Sequence, residues 1–267
     1  LARCEARFLL ESKKPREAAE LLLDAALYAG DIMRNNTLVE GYVGASILKY
    51  LLEDLEADLL KSDLNSDEFL DIARQLDLLD GGFPDPGDAF LNDSMQLGFA
   101  FLKAGTVQEF FKMYGAEKPE LSARRYCFSE RIMMADAFES HLKYSKQLRD
   151  ASQNPWPEAG RMKQCCILER TSDPNPLLRA VHDLLSFDTP GAAAQRALTS
   201  DHFRQARVSL RLLRGAAHYR ATGLIPRLED PFGSTLFSSR SGNRLKLWSV
   251  GGNGKDDGGT GDWTGKG

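Results

Sequence analysis

ARFLLESKKPREAAELLLDAALYA, residues Ala6 to Ala29, is the stretch from which the fold is read. Ala6, Leu9 and Leu10 make one short apolar face, and Lys13, Lys14 and Pro15 interrupt it. Pro15 has no amide hydrogen to lose in the first turn of a helix, so a second helix is expected to start there and run through EAAELLLDAALYAGDIM. Two helices joined by so short a turn make an αα-hairpin. A third helix, from about Thr37 to Leu60, continues the stack.

The hairpin resembles the tetratricopeptide type, but no self-similarity at that family's period of roughly 34 residues follows. A helical-hairpin array without a true repeat is therefore expected. DLNSDEF, Asp63 to Phe69, places Asp63, Asn65 and Asp67 at the first, third and fifth positions of a calcium loop. Glu68 then stands where that loop needs glycine, and Arg74 where it needs a bidentate carboxylate, so the motif is instead a helix start capped by Asn65 with Glu68 completing the capping box. Asp85 followed by Pro86 begins another helix. Further helices are expected over 88–104, 106–114, 129–150 and 176–186, with prolines breaking the chain between them.

The segment Asp173-Pro174-Asn175-Pro176 is the expected domain boundary, giving a helical scaffold over 1–172 and a second module over 173–267. A long helix is expected over 192–220, because Phe203, Ala206, Leu210, Leu213 and Ala217 recur as one apolar stripe. Two strand segments, TLFSSR and RLKLWSV, flank Ser241-Gly242-Asn243 and read as a hairpin within 234–250. The fold class is mainly α, with a small α+β ending.

Composition excludes some functions. Apolar residues at 42% and charged residues at 27% are ordinary for a globular protein, and 34 basic against 38 acidic side chains give a net charge of -4. Nucleic acid and anionic membrane gain no global attraction from such a surface. No apolar run reaches the roughly 18 residues of a membrane helix, so membrane contact is expected only through an anchor upstream of Leu1. Cys4, Cys127, Cys165 and Cys166 have no zinc spacing and do not fix a compartment.

The closing SVGGNGKDDGGTGDW, 249–263, holds six glycines and three aspartates. A phosphate loop fails there, because Ser249 and Asp256 occupy the places of its first glycine and its Ser or Thr. An ion site is the alternative. Close glycines let carbonyls turn inward, and Asn253, Asp256, Asp257 and Asp262 offer the hard oxygens calcium takes. Arg204, Arg207, Arg211 and Arg214 form a basic stripe beside the apolar one, extended by His218. It reads either as a solvated face or as a docking strip for an acidic partner. No catalytic constellation is legible, and an enzyme or lipid-handling protein would need a cleft between helices, drawing on residues such as His141, His182 or Glu130.

A long helix, IPRLEDPFG, a hairpin and SVGGNGKDDGGTGD, in that order, resemble the soluble part of type II secretion major pseudopilins. The resemblance covers roughly 190–263, and the whole chain is similar to bacterial membrane-anchored proteins with a helical domain before such a module. It implies a structural calcium ion, with Asn253 and Asp262 at matching positions, Ser249 in the segment that supplies carbonyl oxygen, and Asp256 or Asp257 offsetting the charge missing at Asn253. It also implies a periplasmic or extracellular location, and the function expected of the whole chain is a non-enzymatic interaction scaffold with a protein partner. Direct polymerisation does not follow, because some 190 residues precede the module. A cytosolic helical-repeat adaptor is the remaining alternative.

Overall fold

The computed structural model describes residues 1–34, 37–59, 62–116, 130–152, 177, 190–233, 235–241 and 244–259. Over these the chain is mainly helical, with one two-stranded antiparallel sheet. The opening hairpin forms as read, α1 (Ala2–Glu11) turning over Ser12–Lys14 into α2 (Pro15–Met33) with Pro15 in its first turn. Helix α3 (Leu38–Leu59) packs along α2. Helix α4 (Ser66–Gly81) starts on the expected capping box. The Asn65 side chain accepts from the Asp67 and Glu68 amides at 3.0 Å, and Glu68 accepts from the Asn65 amide at 2.8 Å.

Helix α5 (Pro86–Ala104) begins where Asp85 accepts from the Gly87 amide at 2.7 Å, and Gly105, at φ 71°, ends it. Helix α6 (Val107–Met113) follows, capped by Thr106. Helix α7 (Glu130–Ser152) runs antiparallel to α5, since Arg149 near its end reaches Asp88 at the start of α5 at 3.3 Å. The buried hydroxyl of Ser94 bonds that of Ser145 between the same two helices. Of the helix expected over 176–186, only Leu177 lies among the described residues, and it is buried.

The long helix α8 (Pro190–Thr222) carries the predicted stripe, and Phe203, Ala206, Leu210, Leu213 and Ala217 are all buried. They share one core with α1 to α4, and α8 packs chiefly on α4 and α3. Residue Gly41 permits the close approach, because a Cβ there would lie 2.8 Å from the Phe203 ring. A second core joins α5, α6 and α7 around Phe101, Phe110 and Met134. The expected boundary at 173 lies outside the described residues, and the first core draws its side chains from both sides of it. Strands β1 (Phe237–Ser241) and β2 (Arg244–Trp248) pair antiparallel, with Phe237 opposite Trp248 and their rings stacked 5.8 Å apart.

Candidate functional site

The basic stripe of α8 faces a carboxylate of its own chain. Asp80, 6% exposed, sits in the last turn of α4, where the helix dipole disfavours a negative charge. Arg207, Arg211 and Arg214, at i, i+4 and i+7, lie on one face of α8 and converge on it. Arg207 Nε donates to Asp80 at 2.8 Å, Arg211 Nε to both oxygens at 3.0 and 2.8 Å, and Arg214 Nη1 at 3.3 Å. Arg214 also pairs with Asp77 at 2.6 Å. Arg204 is itself buried, and that burial lowers its pKa against the opposing pull of Asp201 and Asp85. Three of the stripe's arginines thus answer an acid on a neighbouring helix of the same chain, while Arg207 and Arg214 stay partly exposed.

Arg211 continues the connection toward the C-terminus. Its Nη1 donates to the Glu229 carbonyl at 2.8 Å, and the next residue, Asp230, is 4% exposed. Asp230 Oδ1 accepts from the Phe232 amide at 2.9 Å and the Ser249 hydroxyl at 2.8 Å, and Oδ2 accepts from the Val250 amide at 2.9 Å. One buried carboxylate therefore clasps the DPFG turn to the segment that follows the hairpin. Sequence reasoning used both segments and missed the contact. An aspartate before proline and a serine after an aromatic strand end are the signal it left.

The closing turn folds back on β2. Trp248 Nε1 donates to Asp256 Oδ1 at 2.8 Å, and the Gly258 amide donates to the same oxygen at 3.0 Å. These bonds, the indole first, hold the Asp256 carboxyl below its ordinary pKa. Lys246 donates to the Gly258 carbonyl, and Gly259 packs so closely that a Cβ would lie 2.9 Å from Trp248. Gly251, Gly254, Gly258 and Gly259 all have positive φ, the backbone that winds a short chain around a centre. Of the expected calcium ligands, Ser249 has its hydroxyl committed to Asp230 and to the Gly251 amide, which leaves its carbonyl segment as donor. Asp256 and Asp257 lie on the turn, while Asp262 and the Asn253 side chain lie outside the described residues. The donor set is oxygen only, which fits a hard cation. Among the described residues, no three His, Cys, Asp or Glu side chains gather as a metal site.

Between α5 and α7 lies a half-open cleft of about 490 Å³. Met95, Phe99 and Leu102 line it from α5, and Met134, Ala135 and Phe138 from α7, with Arg131 beside them. Gly98 forms part of its wall, where a Cβ would meet the Phe138 ring at 2.5 Å. Of the residues named for a cleft enzyme, His141 is buried on α7, while His182 and the side chain of Glu130 lie outside the described residues. His202 contacts Tyr42 edge-on at 4.6 Å, and burial, with Lys49 adding to it, keeps its pKa below the ordinary value. No known family, curated protein or solved structure matches the chain. Among the described residues, no helix is long and apolar enough to cross a membrane.

Proposed function

We propose that the chain is a non-enzymatic interaction scaffold in which a helical body carries a pseudopilin-like C-terminal module. The observation that carries the reading is Asp230, whose carboxylate joins the LEDPFG turn to Ser249 and Val250. Those are the two segments on which the pseudopilin resemblance rests, and their contact gives the resemblance a physical reason. The location that goes with it is the outer side of a bacterial membrane, with an anchor upstream of Leu1 and a link to a secretion or pilus-like system. Val39, Val43 and Tyr50 on the outward face of α3 offer a protein partner apolar contact.

Calcium has a structural role in this proposal, held by Asp256 and Asp257 with Asn253, Asp262 and carbonyl oxygens of the Ser249 segment. An ion bound only by the folded turn stabilises it by about 2.7 kcal/mol at a hundredfold excess over Kd. Thermal melts of the full chain in calcium and in chelator test this. The expected result is a higher melting temperature in calcium that Asp262→Ala abolishes, and superimposable curves would overturn it. The cleft between α5 and α7 favours a second reading, the handling of lipid-like molecules without catalysis.

A further inference from the structure

The α5/α7 cleft has the attributes of a small-molecule site. Its volume of about 490 Å³ lies within the range of roughly 300–1,000 Å³ typical of such sites. Its lining is methionine, phenylalanine and leucine, and unbranched thioether side chains conform readily to a flexible chain. Phe99 and Leu102 remain 64% and 80% exposed around it, so apolar surface stays in water unless something covers it. Arg131, on the first turn of α7, is the only charged side chain among the described lining residues.

An apolar trough with one guanidinium beside it matches a ligand with a hydrocarbon body and a single anionic end. The planar arginine fork meets a carboxylate through two parallel hydrogen bonds. An uncharged oil would leave Arg131 without a role, and a cationic amphiphile would be repelled by it. We propose that this cleft binds a medium-chain aliphatic carboxylate, its tail between α5 and α7 and its carboxylate against Arg131. The proposal rests on the second reading above and is independent of the calcium turn, so either can fail alone.

The test is displacement of the fluorescent fatty acid cis-parinaric acid from the full chain by dodecanoate, dodecanol and dodecylammonium. Dodecanoate should displace the probe at concentrations about 1.5-fold to 5-fold below dodecanol, the range expected for one solvent-accessible ion pair. Dodecylammonium should be the weakest. Arg131→Gln should erase the preference for the anion while the tail still binds. Ala135→Trp adds its ring from an exposed helix position, so it should fill the cleft and abolish probe binding with the melting curve unchanged. Failure of the probe to bind, binding unaffected by Ala135→Trp, or equal displacement by the three dodecyl compounds would overturn the proposal. The first outcome would leave the cleft to the apolar face of a partner helix.

Discussion

Replacing Asp80 by asparagine keeps the shape of the side chain and removes one negative charge from a site only 6% exposed. Breaking a buried ion pair from one side costs about 3–5 kcal/mol, because the remaining charge is stranded away from water. The three arginines do not suffer equally. Arg207 and Arg214 have side chains 37% and 23% exposed and regain hydration, and Arg214 keeps Asp77. Arg211, at 10%, has no such recourse beyond the Glu229 carbonyl. The expected loss is therefore near the lower bound, about 3 kcal/mol, which lowers the melting temperature by roughly 6–12 °C in a chain of this size. Far-UV circular dichroism melts measure it, with Asp77→Asn as the control. Asp77 is 60% exposed, so its loss should cost no more than about 1 kcal/mol. Added salt should narrow the difference little, since buried pairs are weakly screened. Equal melting of the two variants would refute the assignment of Asp80 as the charge that holds α8 to α4.

At Gly41, valine would force its side chain onto Phe203 across the α3/α8 contact, and overpacking there should cost about 1–3 kcal/mol; a melt unchanged from wild type would show that α8 can retreat freely. Asp230→Ala strands the amides of Phe232 and Val250, each worth about 1–3 kcal/mol when buried without a partner. Hydrogen exchange over 237–248 should then accelerate by on the order of tenfold or more while the helices keep their protection, and uniform acceleration would contradict a local clasp. Asp256 has a folded pKa below its unfolded value, so its contribution is present above about 3.9 and is lost as pH falls through the lower folded value. The Trp248 indole N–H resonance should accordingly move at a midpoint below that value in the wild type and stay put in Asp256→Asn.

The helices were legible because their signals are local. Pro15, Asn65 with Glu68, and Asp85 with Pro86 each fix a helix start within four residues of chain. The stripe from Phe203 to Ala217 announced burial, but a stripe does not say what covers it. Its partners, α3 and α4, lie well over a hundred residues earlier, where no local pattern can point. The arginines are a related case. Charge at helical spacing reads as wet surface, and only the fold brings Asp80 against Arg211, 131 positions apart. The Asp230 clasp spans 19 residues and a hairpin, beyond the reach of capping rules. The α5/α7 cleft left no sequence signature, since Met95, Phe99, Met134 and Phe138 carry the same pattern as a closed core.

Native-state hydrogen exchange across a denaturant series measures most directly whether α8 belongs to the N-terminal body. Leu48 and Leu52 of α3, Leu76 of α4, and Leu210 of α8 are all fully buried in one core. Their amides should exchange through a single opening, with one free energy and one denaturant slope. An α8 that opens separately, at lower free energy, while α2 to α4 stay protected would contradict the account.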